Sequence, residues 1–226
     1  FSGAAKITGA GPVASVVNYG PANSSMLASF NGMTTGSQKL FAPQVTKFAF
    51  AGVYTSGLTV YNPNPTATPF KVEFIRSGQT TPVYTYTGSV SANNVWIQYV
   101  GSLSGLPNGF NGTAVVTVTS GTNKVYGIAT MASNSGESTA INLVPVEDAS
   151  NILYFPQIVR TAFGGYESGW QVVNTTGVPV NLTVEYWRDT NVKTYTQHLT
   201  LGANSAVTNY VGSSIFETTI GDGWNG

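Results

Sequence analysis

Few side chains in this sequence can do chemistry, and their spacing does not form a catalytic motif. The 226 residues include one histidine, nine acidic residues and no cysteine. His198 lies in a run of alternating side chains that we interpret as a surface strand, and no Gly-x-Ser-x-Gly turn supports a serine–histidine–aspartate arrangement. The absence of cysteine excludes disulfides, thiolate metal sites and cysteine nucleophiles. We therefore expect no enzymatic activity and no cofactor.

The carboxylates also lack the grouping that calcium binding or glycoside hydrolysis requires. Glu73 and Glu185 fall at equivalent outward positions of two similar segments, which is expected for solvated strand faces. Glu147 and Asp148 form the one adjacent acidic pair, whereas calcium takes roughly six to eight oxygen ligands. The sequence therefore predicts no metal site.

Asn-x-Ser/Thr sequons make covalent sugars a candidate modification of this chain. The four sequons begin at Asn23, Asn111, Asn174 and Asn181. The motif also arises by chance in a chain rich in Asn, Ser and Thr, so each one alone is weak evidence. Asn23 lies in a polar connection and is predicted to be the most accessible, and Asn181 takes an outward strand position.

Aromatic side chains offer one further chemistry, which is the stacking of sugar rings. Trp170 and Trp224 match the apolar residues Leu58 and Phe110 of similar segments, so we expect them in a core. Trp187 falls instead on an outward strand face. It is therefore the candidate for contact with a carbohydrate or with another subunit.

The composition predicts a neutral, hydroxyl-rich surface. Nine basic residues balance nine acidic ones, and only 8% of residues are charged. This argues against nucleic acid or an anionic membrane as an electrostatic partner. No apolar run approaches the ~20 residues that span a bilayer. The chain begins at Phe1 without a signal pattern, so we expect any leader or anchor to lie outside this sequence.

Two parts of the sequence resemble each other at a nearly constant spacing of about 110 residues, which indicates an internal repeat. The matching segments are 43–52 with 156–165, 56–62 with 168–174, 72–76 with 184–188, and 99–102 with 210–213. The N-terminal residues 1–8 and 12–17 match 110–117 and 124–129 in the same way. So many agreements at one spacing predict two copies of one structural unit.

The repeated segments have the period-two alternation of half-buried strands. Phe70, Val72 and Phe74 share one face, and Lys71 and Glu73 share the other. Clusters of Gly, Pro and Asn separate such runs, and no helical stripe is evident. The sequence therefore predicts an all-β protein built from two Ig-like β-sandwich repeats of about 110 residues.

The chain is cut out of phase with these repeats. We predict a complete sandwich over residues 40–131 and a second one over 151–226 that lacks its last two strands. Polar connections are predicted at 19–39 and 132–150. The lacking strands match residues 1–18, which we interpret as a donor hairpin.

The predicted donor strands are residues 4–8 and 13–18, and four apolar side chains would carry the assembly contacts. These assembly residues are Ala5, Ile7, Val13 and Val16. On the opposite face of the first strand, Lys6 matches Val115, so both are expected to point outward.

Three arrangements would complete the second sandwich. In the first, the hairpin of one chain inserts into the next chain, which is donor-strand complementation and yields a head-to-tail homopolymer. In the second, the 226 residues belong to a longer chain of tandem copies, such as a surface adhesin or a carbohydrate-binding protein. In the third, residues 1–30 fold back onto 151–226 of the same chain. We favour the first arrangement on the sequence alone.

Several motifs resemble tandem β-sandwich repeat proteins of bacterial and archaeal cell surfaces. They are Leu-Pro-Asn-Gly-Phe-Asn-Gly at 106–112, Val-Val-Asn at 16–18, Ser-Phe-Asn-Gly at 29–32, Phe-x-Pro-x-Val at 41–45 and Gly-Leu-Thr-Val-Tyr-Asn at 57–62. The resemblance implies an extracellular location and a role like that of surface-layer, pilus-like or adhesive filament subunits. It departs at 134–151, a connection unlike the first one, and it implies no catalytic chemistry.

Overall fold

The computed structural model describes residues 3–19, 28–188 and 192–226, and it is an all-β protein. The strands are β1 (Val16–Tyr19), β2 (Ala28–Asn31), β3 (Lys39–Lys47), β4 (Tyr54–Asn62), β5 (Thr68–Arg76), β6 (Pro82–Val90), β7 (Asn94–Tyr99), β8 (Phe110–Val118), β9 (Tyr126–Ser133), β10 (Ser138–Asn142), β11 (Val144–Pro145), β12 (Val159–Arg160), β13 (Gly169–Val173), β14 (Val180–Arg188), β15 (Val192–Leu201), β16 (Ala206–Tyr210) and β17 (Trp224–Asn225). Short helical turns lie at Ala49–Gly52, Val100–Ser102, Val146–Asp148 and Ser214–Thr219. The predicted all-β sandwich class is confirmed.

Strands β3 to β11 form a sandwich of two antiparallel sheets. One sheet has the order β11-β3-β8-β5-β6, and the other has the order β10-β9-β4-β7. The inner faces meet in one core, where Phe70, Val72 and Phe74 of β5 are fully buried, as their alternation predicted. Ala114 and Val116 of β8 pack in the same core. The hydrophobic alternation therefore sets which face of each sheet turns inward.

The structure differs from the sequence prediction at residues 132–150, which were expected to be only a connection. This segment instead supplies β10 at the edge of one sheet and β11 at the edge of the other. β10 pairs with β9, opposing Ala140 to Thr130, and β11 pairs with β3, opposing Val144 to Phe41. The sandwich therefore extends from β3 to β11, because this polar segment satisfies its backbone by pairing with strands that precede it in the chain.

A second β unit follows, with a smaller core of its own. Its strands form three two-stranded sheets, with the pairs β12-β17, β13-β16 and β14-β15. Trp170, Tyr186, Val211, Phe216 and Trp224 form its buried centre. Trp170 and Trp224 thus lie in a core, as their sequence matches predicted.

A buried asparagine holds the end of β4 in the first sandwich, and its sequence match does the same in the second unit. The Asn62 amide nitrogen donates to the carbonyl oxygens of Thr66, Val90 and Ser91 at 2.8, 3.1 and 3.1 Å. The Asn174 amide nitrogen donates to those of Val178, Leu201 and Gly202 at 2.7, 3.3 and 2.9 Å. Each side chain therefore ties the turn that follows its own strand to the end of a distant strand.

A buried cation is repeated in the same way. The Lys47 ammonium donates to the carbonyl oxygens of Leu103 and Leu106 at 2.6 and 2.8 Å. The matching Arg160 donates to the Val211 carbonyl oxygen at 2.8 Å and pairs with Asp222 at 3.1 Å. A buried charge requires such partners, so both cations stabilise the loop that follows β7 or β16.

The second unit packs on the outer face of the first sandwich. Phe41, Ile75 and Val115 lie there, all at most 3% exposed, with Val173 of β13 packed against them. Val115 was expected to be a tolerant outward residue. It does point away from the sandwich core, but it is buried in a cluster that Val173 of the second unit and Val146 cover.

We predict that Asn62→Ala lowers the free energy of unfolding by about 2–4 kcal/mol, because three carbonyl oxygens lose their donor. The exposed Asn108 provides the matched control, and Asn108→Ala should change stability by less than about 0.5 kcal/mol. Urea titration of both variants measures the difference. Equal stabilities would contradict the structural role of Asn62.

Candidate assembly interface

Two strands of the second unit have an unpaired edge, whereas the matching strands of the first sandwich are paired on both sides. In the first sandwich, β5 pairs with both β6 and β8, whereas β14, which matches β5, pairs only with β15 among the described residues. Likewise β4 pairs with β7 and β9, whereas β13 pairs within the described chain only with β16. Each of these strands therefore presents one unpaired edge, and such an edge is a template for another strand.

The central position of β8 shows what a strand on that edge would do. β8 lies between β3 and β5, where Val116 opposes Val72 and Ala114 opposes Phe74. On its other side β8 holds β3, opposing Leu40 to Val116. One strand thus joins two others and contributes side chains to the core.

The segment of the second unit that matches β3 has no strand equivalent to β8 beside it. Leu40, Phe41 and Ala42 of β3 are buried at 0–1% exposure. The matching residues Leu153, Tyr154 and Phe155 are exposed and lie outside any strand. Because a strand needs a hydrogen-bonded neighbour, this segment lacks strand structure where no equivalent of β8 pairs with it.

The N-terminal segment carries the sequence that matches β8, and it is exposed. Residues 3–15 contain no strand, so the predicted strand at 4–8 is not formed within the isolated chain. Ala5 is exposed, as are Ile7 at 66% and Val13 at 59%. These apolar side chains are thus exposed to solvent and are not part of a hydrophobic core.

The second predicted donor strand, residues 13–18, differs in its bounds and in its partner. β1 begins at Val16 and pairs with β2, opposing Val16 to Asn31. This register matches that of β9 with β10, where Ile128 opposes Asn142. β2 lies against β10 of the first sandwich, and the Asn142 amide nitrogen donates to the Asn31 carbonyl oxygen at 3.0 Å. The hairpin formed by β1 and β2 therefore contacts the first sandwich in this structure.

The match of residues 12–17 with 124–129 also indicates which side chains of the second donor strand would face a core. Val125 and Ala129 of the first sandwich are buried in its core, whereas Ile128 is only half-buried. Val13 matches Val125, and Val17 matches Ala129. Val13 and Val17 thus share the inward parity, and Val16, which matches Ile128, has the opposite one.

The four sequons occupy different environments. Asn23 lies outside the described residues. Asn174 is 4% exposed, and its amide nitrogen, to which a sugar would attach, already donates three hydrogen bonds. Asn111 is half-buried with its side-chain oxygen buried and unpaired. Asn181 is exposed and uses only its oxygen, which accepts from the Thr200 hydroxyl at 2.8 Å.

Trp187 lies on the outer face of β14 and is 45% exposed. The Lys193 ammonium lies 5.6 Å from the centre of its ring and 2.8 Å from the Glu185 carboxylate. The hydrogen bond from Lys193 lowers the pKa of Glu185. One face of the indole is therefore occupied by a cation, which leaves less of the ring for stacking on a sugar.

The remaining titratable candidates are dispersed. The His198 ring nitrogen Nδ1 lies 3.3 Å from the Thr183 hydroxyl on the exposed strand pair. Glu147 accepts a hydrogen bond from the Ser37 hydroxyl at 2.6 Å, which lowers the pKa of that carboxyl. Within the described ranges, no three His, Cys, Asp or Glu side chains cluster. In the same ranges, no helix is long and apolar enough to cross a membrane.

The alkaline stability of the second unit should depend on Tyr186. Burial raises the pKa of Tyr186 to about 12 from its ordinary value of 10.0. Between these values the unfolded chain loses the phenolic proton and the folded chain keeps it, so stability falls as pH rises, by about 2–3 kcal/mol in total. Tyr186→Phe should flatten this fall in urea titrations between pH 9 and 12, at a cost near neutral pH from the lost Trp170 hydrogen bond.

Tyr166→Phe is the matched control, because Tyr166 is 70% exposed. It should keep the alkaline loss of the unsubstituted chain. An identical pH dependence in the Tyr186 and Tyr166 variants would contradict the assignment.

Comparison with known proteins identifies no family for this chain. No protein-family model and no curated protein matches it. Among solved structures it is similar to the crystal structure of Thermotoga maritima 1070, with 12% sequence identity and a TM-score of 0.40. That likeness covers 52% of this chain and 100% of the other. At this TM-score it does not establish a common fold.

Proposed function

We propose that this protein is a structural subunit of an extracellular filament and polymerises head to tail by donor-strand complementation. The observation that carries the proposal is the unpaired edge of β14 in a chain whose exposed residues 3–8 match β8. The donor segment of one molecule pairs with β14 of the next. A structural rather than an enzymatic role also agrees with the dispersed titratable groups.

The register of the first sandwich predicts the contacts between subunits. Val116 opposes Val72 and Ala114 opposes Phe74 there, so Ile7 of one molecule lies opposite Val184 of the next, and Ala5 lies opposite Tyr186. Burying Ile7 stabilises the contact by about 1.5–3 kcal/mol. The strand also adds main-chain hydrogen bonds on both of its edges.

A contact of this kind is heterologous, since the donor and the acceptor are different surfaces. Every molecule carries one of each, so assembly repeats without limit unless the rotation closes a ring. An exposed edge and exposed apolar residues are unfavourable in water. Strand donation removes both at once.

A longer polypeptide of tandem copies would satisfy the same strand edges through covalent continuity, and we keep this arrangement as the alternative. Folding back within one chain receives less support, because the N-terminal hairpin contacts β10 of the first sandwich.

The test of strand donation is a charge placed on the inward face of the donor strand, with the same charge in the segment that follows the strand as its control. Ile7→Asp should abolish assembly, because its carboxylate would enter the core of the next molecule. Ala10→Asp adds the same charge three residues away, at an exposed position between the two donor strands, and should assemble. Removal of residues 1–18 should also abolish assembly. Sedimentation and negative-stain electron microscopy measure the polymer.

Normal filaments from the Ile7→Asp chain would sink the proposal. The mass of the native polypeptide, denatured and freed of sugars, distinguishes separate subunits from tandem copies in one longer chain. A mass near 23.7 kDa indicates separate subunits, and a mass several times larger indicates tandem copies in one chain.

We propose further that Asn181 carries a covalent sugar, because it is the exposed asparagine among the three described sequons. A neutral filament surface gains solubility from such sugars. Peptide mass spectrometry of the native protein should find Asn181 modified and Asn174 unmodified. A sugar on Asn174 would contradict its three hydrogen bonds, and an unmodified Asn181 would remove this part of the proposal.

A further inference from the structure

The contact between the first sandwich and the second unit joins two surfaces that each recur elsewhere in the chain. The receiving surface is the outer face of β3, β8 and β5, where Phe41 and Ile75 are buried. The surface that covers it comes from β13, β16 and the turn before β16. Val173 supplies the apolar contact of this covering surface.

Polar contacts fix how the two surfaces meet. The Ala206 carbonyl oxygen accepts from the Gly78 amide and the Ser77 hydroxyl, both at 3.1 Å. The Lys39 ammonium donates to the Asn204 side-chain oxygen at 3.0 Å. These bonds set the orientation of the second unit on the first, which the apolar contact alone would leave loose.

The residues that match this receiving surface are exposed on the second unit. Tyr154 and Trp187 stand at the positions that match Phe41 and Ile75, and they are 86% and 45% exposed. Ile152, which matches Lys39, is also exposed. These positions therefore carry larger apolar side chains than the buried positions that they match, yet they are exposed within the described chain.

A second covering surface lies on the first sandwich. Tyr61 opposes Val95 on β4 and β7, as Val173 opposes Ala206 on β13 and β16. The turns that precede β7 and β16 also have matching backbone geometry. Asn93 and Asn204 both have φ of 51°, and their amides donate to matching carbonyl oxygens, of Asn64 at 3.2 Å and Thr176 at 3.1 Å.

We propose that a second copy of this chain covers Tyr154 and Trp187 with its Tyr61, Asn93 and Val95 surface. The contact between molecules then repeats the contact within a molecule. This inference rests on the proposed head-to-tail order and adds to it a docking surface separate from the donated strand. The argument for this occupant is the internal contact, which shows the same pair of surfaces already joined.

The donated strand fits this arrangement. Lys6 matches Val115, which lies between Phe41 and Ile75 in the internal contact. In the assembled pair, Lys6 therefore lies between Tyr154 and Trp187, where its stem packs on the rings. The Lys39 ammonium already lies 4.9 Å from the centre of the Phe41 ring on the internal surface. The docking surface thus combines residues of both molecules and is complete only after strand donation.

The arrangement has a consequence for the polymer. Donated strands alone would fix the order of the sandwiches without fixing their orientation to each other. A repeated docking contact gives each sandwich the same orientation to the one before it, within and between molecules. The filament then has a repeating element of one sandwich, with two such elements in each molecule.

The absence of cysteine allows a direct test in the full-length chain. Tyr61→Cys with Trp187→Cys places one thiol on each proposed docking surface. Thr8→Cys with Thr183→Cys reports strand donation, since the matching Thr117 and Lys71 oppose each other on the outward face of the sheet. Val83→Cys with Trp187→Cys is the control, since Val83 is exposed on β6, in the sheet of the first sandwich that does not carry Tyr61 and Val95. Each chain is assembled and treated with a short bismaleimide, and covalent oligomers are separated on a denaturing gel.

We expect oligomer ladders from the docking pair and the strand pair, formed about a hundredfold faster than any from the control pair, because docked thiols have a millimolar effective concentration. A ladder from the strand pair without one from the docking pair would overturn the docking surface and leave strand donation standing. Ladders from neither pair would overturn both proposals. Equal rates for the docking and control pairs would also overturn the docking surface.

Discussion

The pairing of β8 with β3 on one side and β5 on the other is the constraint on which this structure depends. Here a single strand joins two others into one sheet and contributes side chains to the core. Where β8 is present, β3 forms a strand of nine residues. Where its equivalent is lacking, the matching segment around Tyr154 has no strand and exposes its apolar side chains. The two units thus show one sequence pattern with and without its central strand.

Buried polar side chains explain how loops with few apolar residues become fixed. Asn62 and Asn174 each satisfy three carbonyl oxygens, and Lys47 and Arg160 each bind the carbonyl oxygens of a distant loop. Unpaired, these groups would oppose burial. Paired, they specify one arrangement of turns. The agreement between the two units in these polar contacts supports duplication of one unit.

The packing of the second unit on the first gives the proposed polymer a physical model. In that proposal, strand donation would supply the main-chain bonds, bury Ile7 and account for the affinity. The outer-face contact between surfaces such as those of Ile75 and Val173 accounts for orientation. Both follow from one rule, which is that a β-sandwich must cover its edges and its apolar faces. In the proposed polymer, a neighbouring molecule would provide that cover where the chain itself does not.

The sequence by itself determined the class of the fold, because the period-two alternation of residues such as Phe70 and Phe74 is local. It also predicted the buried Trp170 and Trp224 through the repeat, and identified the segment around Ile7 as the match to β8. Those inferences need only neighbouring residues and a constant spacing.

Only the tertiary structure decided the rest. It placed β10 and β11 inside a predicted connection, buried Val115 beneath the second unit, and engaged Asn174 in three hydrogen bonds that hide its sequon. It also left residues 4–8 without a strand in the isolated chain. Each of these outcomes depends on strand partners and contacts far away in sequence, and pairing between distant segments leaves no local pattern from which it could be predicted.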